Sequence, residues 1–598
     1  MKKELVINSI FGGQNPSQYF GKEDGFNLSV AIDPDLPIIS TGIRTSGFIV
    51  PVGYNDFTGT NVNDEAIAII NSPKNTLTYV VLANGRLISY DSALASETLI
   101  ASTFTVTIAS PAVFSLTAHG LAANNVVYFS TSGALPTGLT AGTAYYVISA
   151  GLTTDAFEVS ATEGGAAINT SGTQSGTHKI TMACKGAGYY NNYIYFFTGT
   201  NVSRYGPLNN SPALTHGFWV TTLSLTALTN TAYPALRSVT IPNHWPHVHG
   251  DGSMYFCDFI NGQGLIHRIN TKKTTDEGDT NGTTVPSAYN VLDLPFGFYP
   301  TSIESYGTSL LITGIYTIDT TINQGKAAFI LWDPTDTTSF YLGPVFLPDP
   351  LCTASLNVNG KVFIWTGNAV NGVRLSQYLG GESVQEIVYQ EEGMPPFAGA
   401  VDALGNRIVW GGYITNPEAY AVVWAWGSKD ARIPKGLHNI VLTNSDGATP
   451  IVTAVKYVQQ SSNITPKVVV GWNNASDSGT DKYATAGTLG AEIRWMFNIG
   501  TKFNITRISI PLAGAVAANT TISPSCHFDD LSVSKNLTVI NNTNYPSMRK
   551  IIYKGTELKD YIGKNNFVFK IMFTDSNPLP VALPIKFEIE VWEDEASA

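Results

Sequence analysis

Charge is what this 598-residue chain has least of. Asp, Glu, Lys and Arg together make up 13% of it, about half the usual share. The balance is acidic, with 34 Lys and Arg against 45 Asp and Glu and a net charge of −11. Phosphate recognition needs clustered Lys and Arg; none is evident, which argues against a general nucleic-acid binder. Cysteine is scarce too. Cys184, Cys257, Cys352 and Cys526 stand far apart with no Cys-x-x-Cys pair, which excludes a disulfide framework and a structural zinc site. They read as buried thiols in a protein assembled in a reducing cytoplasm. No apolar run approaches the ~18 residues a membrane-spanning helix needs. The opening Met1–Ser9 carries the charge of a secretory leader, but its apolar run breaks at Asn8 and Ser9. A soluble chain with no membrane anchor, not exported by the general secretory route, is expected. Long helical periodicity is also missing.

What fills the chain instead is β-structure. Runs of four to eight aromatic, apolar and β-branched residues alternate with Gly, Asn, Asp and Pro turns. A loose repeat emerges, a compact turn followed by an aromatic strand. Asn84-Gly85 precedes Arg86–Tyr90, Asn191-Asn192 precedes Tyr193–Phe197, and Asp251-Gly252 precedes Ser253–Phe256. Tyr306-Gly307, Asn359-Gly360 and Gly405-Asn406 lead into Leu310–Thr313, Lys361–Trp365 and Arg407–Trp410, with a weaker copy at Pro466–Trp472. Such turns favour the positive φ that joins twisted antiparallel strands. With 102–180 set aside they recur at roughly 45 to 60 residues, the spacing of propeller blades. Each unit would bury its faces only by radial stacking. The expected fold is therefore all-β: a β-propeller of six or seven blades over 36–101 and 181–487, with a row of β-sandwiches as the alternative. From 488 to 598 the strands alternate cleanly, as in Phe567–Phe573 and Ile585–Trp592, and read as one β-sandwich. Residues 1–35 read as an extended arm that lies on a neighbour or packs back on the propeller.

The block 102–180 differs in texture. It is rich in Ser, Thr, Ala and Gly and contains His119-Gly120-Leu121, Asn125–Phe129, Leu135-Pro136-Thr137-Gly138-Leu139, Gly142–Ile148, Asp155–Val159 and a closing turn at Gly172–His178. It resembles the small β-barrel module found, inserted or in tandem, in structural proteins of bacteriophage tails. The opening Phe11-Gly12-Gly13-Gln14 and Gly25–Pro34 is similar to the first segment of such proteins. The resemblance implies a virion component assembled in the host cytoplasm. Propellers with insertions resemble the nozzle or hub of short-tailed phages: a homo-oligomeric ring, six-fold by resemblance, that contacts an adaptor and fibres and lets genomic DNA pass. A host-attachment protein that binds surface glycans is the alternative, and a polysaccharide-acting propeller enzyme the third reading.

Candidate chemistry is sparse. Three of the nine histidines, His244, His247 and His249, fall in Asn243–Asp251. Alternate strand residues share a face, so His247 and His249 are placed to share a metal, with Asp251 as a third ligand and His267 supplied from the next strand; a blade-connecting loop with backbone-bonded imidazoles is the plainer reading, and no metal or other cofactor is expected. The carboxylates Asp529-Asp530, Glu391-Glu392 and Asp333 sit in no hydrolase motif. No phosphate loop or nucleophile elbow occurs, so no catalytic residue and no enzymatic activity are expected. Trp424 and Trp426 are expected to pack between blades. Tyr145, Tyr146, Tyr189 and Tyr190 stand near turns as candidates for stacking on sugar rings.

Overall fold

The structure is a computed structural model. It describes residues 2–7, 13–14, 25–26, 28–30, 38–40, 43–45, 47–48, 54–56, 64–91, 94, 97–117, 119–197, 201–208, 220–224, 244–260, 262–270, 288–316, 325–335, 342–390, 393–414, 419–427, 436–442, 450–459, 466–474, 477–483, 491–499, 501–512, 516, 521–528, 530–545, 550–558, 562–563, 566–573, 581–582 and 584–591.

Among the described residues, seven four-stranded antiparallel sheets form a β-propeller. The innermost strands of blades 1 to 7 are Ala66–Asn71, Gly186–Tyr190, Pro246–Val248, Phe298–Tyr306, Leu351–Val358, Val401–Leu404 and Ile451–Val458. Each packs on the next, and the seventh packs on the first. Blade 7 is composite. Its outermost strand is Tyr54–Asp56, which pairs with Ser478–Tyr483 in the register Asp56↔Asp481 and Tyr54↔Tyr483. The ring is thus closed by hydrogen bonds between distant parts of the chain.

The predicted turns sit where the first and second strands of most blades meet. Asn191-Asn192 (φ 45° and 70°) and Asn359-Gly360 (φ 54° and 83°) take up the left-handed conformations that such hairpins demand. Asn84-Gly85 is the exception, because it joins the second and third strands of blade 1, Thr78–Leu82 and Leu87–Tyr90. Between blades the large rings interlock. Trp365 and Trp410, both fully buried, pack with their rings tilted by 57° and their centroids 5.9 Å apart. Trp424 is 3% exposed, and Trp426 is partly buried against Phe363 at 6.0 Å.

The barrel leaves blade 1 after its outermost strand, Glu97–Ile100, and re-enters at Gly186. Its six strands close in the order Ser102–Val106, Phe114–Ser115, Ala156–Ser160, Ala144–Ile148, Val126–Thr131, His178–Met182. The last strand thus runs to Met182. Side chains fill the interior: Phe114 stacks on Phe129 at 4.9 Å and on Phe157 at 5.2 Å. The exit is clamped to blade 1, where the Cys184 N–H donates to the Ala83 carbonyl at 2.8 Å. A side chain at Gly85 would fall 1.7 Å from the Met182 carbonyl oxygen.

The C-terminal region is a sandwich of two five-stranded sheets. The apolar faces of Phe503–Pro511 and Ile585–Val591 meet those of Ala491–Asn498 and Asn566–Phe573, with Phe587 edge-on to Phe569 at 4.9 Å. Strands from the expected arm complete both sheets: Lys2–Ile7 pairs with Ile585–Val591, and Leu28–Val30 with Ala491–Asn498. Two other described parts of the arm, Gly13–Gln14 and Gly25–Phe26, pair in parallel with each other, and the first packs on Gly436–Val441, the outermost strand of blade 6; the arm thus joins the sandwich by two strands and packs back on the propeller by another. Among the described residues no helix is long and apolar enough to cross a membrane.

Candidate functional site

The histidine segment forms the start of blade 3. Strand alternation turns His247 away from the propeller axis and towards blade 4, while Pro246 and Val248 face an axial cavity. His247 Nε2 lies 2.7 Å and His249 Nδ1 lies 2.8 Å from the same atom, Ser305 Oγ on blade 4. His249 Nε2 is 3.1 Å from the Thr308 carbonyl, and His247 Nδ1 is 3.6 Å from Glu304 Oε2.

With the His249 ring neutral, these contacts fix the order of protons. The Thr308 carbonyl only accepts, so His249 carries its hydrogen on Nε2. In the neutral ring Nδ1 is then a lone pair, which takes the Ser305 hydroxyl hydrogen. Ser305 has no second hydrogen, so its oxygen accepts from His247 Nε2–H. That leaves the His247 Nδ1 lone pair facing Glu304, a position suited to a protonated carboxyl. The electrostatics agree. Burial pushes Glu304 up to about 8, against the pull of the Asn357 backbone N–H and the Lys456 cation. Burial pushes His247 down to about 4. The result is a proton-ordered strut between blades 3 and 4 in which Glu304 and His247 carry no charge at neutral pH. The Ser305 oxygen is committed to both rings rather than freed as a nucleophile.

His244 belongs to a second cluster. Its Nδ1 donates to the Cys257 carbonyl at 3.1 Å and lies 3.6 Å from Asp258 Oδ1, while Asp258 Oδ2 receives His267 Nε2 at 3.1 Å. His244, Asp258 and His267 are each 1% exposed, and burial lowers the His244 pKa. Asp251 serves neither cluster, because its carboxylate accepts from Ser253 and from the Tyr255 hydroxyl at 2.7 Å. The three candidate histidines therefore do not converge, and both ring nitrogens of His249 are already engaged. Among the described residues no three His, Cys, Asp or Glu side chains are grouped to hold a metal ion.

The tyrosines divide as well. Tyr145 is 4% exposed inside the barrel, its hydroxyl accepting from the Thr140 N–H at 2.8 Å. Tyr190 is 5% exposed and donates to the Gly252 carbonyl at 2.7 Å, bridging blades 2 and 3. Neither offers a ring face to a glycan, which corrects that expectation for both. Tyr146 is half-buried on the barrel. Tyr189 is half-buried and lines the axial cavity. Asp333 caps its own turn by accepting from Thr335; Glu391, Glu392 and Asp529 lie outside the described residues, as does the Asp530 side chain.

That cavity encloses about 250 Å³. Asn71 of blade 1, Tyr189 of blade 2, Trp245 and Val248 of blade 3, Gly399 beside blade 6 and Lys456 of blade 7 contribute to its wall. Lys456 is held by Asp402 of blade 6 at 2.9 Å, and Asp402 also accepts the Tyr457 N–H at 2.7 Å. None of this was legible as a site in the sequence, because its parts come from five blades. Glu304 and Ser305 were missed for the same reason; they reach the histidines only across a blade boundary.

No protein-family model and no curated protein matches this sequence. Among solved structures, the chain is similar to the β-propeller domain of Cps50 (Swd1) from Myceliophteria thermophila, at 8% identity over 72% of this chain and 100% of that one, with a TM-score of 0.38. It is similar to the WD40 domain of Pan2 from Neurospora crassa, at 7% identity over 73% and 96%, with a TM-score of 0.36. The computationally designed Ika8 protein is also similar, at 11% identity over 71% and 98%, with a TM-score of 0.31. The seven-bladed assignment rests on the strand pairing itself.

Proposed function

We propose that this chain is a structural protein of a tailed-phage virion, best placed as a nozzle or hub ring around the tail channel. The observation that carries the reading is the closed, side-chain-filled barrel inserted between blades 1 and 2 and clamped to blade 1. Its interior is filled by packed side chains, so its outer surface is suited to contact with a neighbouring subunit. The 13% charge content supports the same reading, since neutral, aromatic-bearing surface is what stable subunit contacts bury. In this role the protein works mechanically. Copies form a homo-oligomeric ring, six-fold by resemblance, because a tail axis imposes rotational order. The ring holds adaptor and fibres and lets DNA pass.

The test is electron microscopy of particles labelled with an antibody against the barrel, together with native mass spectrometry of the purified chain. Label at the tail axis and a closed ring are expected. A monomer or trimeric spike at the particle periphery would overturn the nozzle assignment in favour of a host-attachment protein. That second reading has one observation of its own, the axial cavity with Tyr189 and Trp245 in its wall.

A further inference from the structure

In an antiparallel four-stranded blade, the outermost strand ends on the same face as the turn between the second and third strands. On that face of the propeller, three successive blades each hold out an apolar side chain. Phe296 ends the outermost strand of blade 3, Ala288–Phe296, and is 70% exposed. Phe346 ends that of blade 4, Leu342–Phe346, and is 49% exposed. Val370, 86% exposed, lies in the turn between Lys361–Asn368 and Gly372–Gly380 of blade 5. Tyr316 stands edge-on to Phe346 at 5.5 Å, and the partly buried Tyr299 and Met394 pack on Ile315 and Leu351. Large apolar side chains gathered on one face mark an interaction surface, whereas single ones scattered over a protein do not.

The barrel springs from the same face, because Glu97–Ile100 of blade 1 ends there. Its first strand, Ser102–Val106, leads away from blade 1. The turn that follows puts Ile108, 47% exposed, and the exposed Pro111 at the end remote from the attachment. The charged residues of 102–182 are Asp155, Glu158, Glu163 and Lys179, an acidic balance, and Asp155 and Glu163 are exposed. The apolar arc carries the opposite sign: the exposed Lys326 holds its Nζ 5.8 Å from the centre of the Phe346 ring.

We propose that the arc over blades 3 to 5 is the seat for the barrel tip of a second copy of this chain, with Ile108 and Pro111 set against the apolar side chains and the acidic barrel turned towards Lys326. Complementarity names the occupant, since apolar tip meets apolar arc and acid meets cation. Tip and arc are different patches of one chain, so the contact is head-to-tail, the kind that rotation closes into a ring. The inference rests on the ring reading above and assigns the two surfaces that would build the ring.

The test is sedimentation velocity with native mass spectrometry on the full chain and on two variants, Ile108→Asp in the tip and Phe346→Asp in the arc. Both positions are exposed, so the melting temperatures should hold; Val370→Asp replaces Phe346→Asp if that variant does not fold. A charge set into an apolar contact is costly, and each variant alone should need at least about tenfold more protein to assemble. An equimolar mixture of the two should give dimers and nothing larger, because one intact tip and one intact arc remain to meet. Homodimers of either variant at wild-type concentrations would reveal like-on-like contact and overturn the proposal, and so would a wild-type chain that never self-associates. Rings that persist in both variants would also overturn it, while leaving the ring reading in place. Antibody label at the particle periphery would remove the ring reading, and dimers from the mixture would still uphold the docking.

Discussion

Glu304 Oε2 sits 3.6 Å from His247 Nδ1 across the boundary of blades 3 and 4, and at neutral pH the pair is held without charge. Glu304 is raised to about 8 and His247 lowered to about 4, so each keeps the proton state that its neighbour requires.

Stability should therefore depend on pH in a defined way. The native state keeps the Glu304 proton up to about 8, whereas the unfolded chain releases it near 4.5; over that window the unfolded state binds fewer protons and stability falls as pH rises. His247 acts oppositely between about 4 and 6.5, where the unfolded chain binds a proton that the native state refuses. The two slopes cancel between 4.5 and 6.5, leaving a net fall of about 2 kcal/mol from pH 6.5 to 8. Glu304→Gln should flatten that fall in chemical denaturation. An equal slope in both proteins would rule out Glu304 as its source.

The barrel clamp gives a paired expectation. Gly85 has φ 77° and a side chain there would strike the Met182 carbonyl. Gly85→Ala should cost the intact protein about 3 kcal/mol, from the left-handed backbone and the clash together. When residues 100–182 are deleted by joining Leu99 to Ala183, the clash partner is gone and the same change should cost about 1 kcal/mol. The deletion variant itself should melt cooperatively, at a lower temperature, because the barrel and blades 1 and 2 share one apolar cluster. Equal costs in the two backgrounds would contradict the clamp.

Within the sandwich, Glu492 is 3% exposed and pairs with Lys570 Nζ at 2.6 Å and with Arg494. Removing the carboxylate leaves two cations facing each other in a sheet. Glu492→Ala should lower stability by about 3 kcal/mol, and adding Lys570→Met should recover part of it. Additive losses in the double variant would refute the pairing.

Removing residues 1–7 should expose the edge of Ile585–Val591. Loss of Ile7, 3% exposed in the core, weakens the sandwich, and a bare hydrophobic edge recruits other chains. Concentration-dependent scattering and early proteolysis in 488–598 are expected. A monodisperse truncated protein with unchanged protease resistance would count against the pairing as a structural element.

The propeller and the barrel were legible because each unit repeats its own local chemistry. Compact turns before aromatic strands mark blades, and the Ser- and Thr-rich block stands out against them. The phase of that repeat slipped at Asn84-Gly85, since an Asn-Gly turn has the same local chemistry between any two neighbouring strands. His247 and His249 were correctly placed on one face, because alternation is local. Their partners Glu304 and Ser305 were not found, because contacts across blades leave no short-range pattern. The same holds for the arm: Lys2–Ile7 shows nothing in its own sequence that names Ile585–Val591 as its partner. The axial cavity is the extreme case, assembled from positions as distant as Asn71 and Lys456.

The composite seventh blade places a constraint on biosynthesis. Tyr54–Asp56 emerges from the ribosome early, yet its partner Ser478–Tyr483 emerges only after every other blade and the barrel. At ordinary translation rates the wait is on the order of tens of seconds. Blades 1 to 6 and the barrel have the chance to form during that time, but the ring stays an open crescent with a bare edge until the late strands arrive. Closure is therefore a final, largely post-translational event, and the nascent crescent is the stage at which a chaperone would have most to protect.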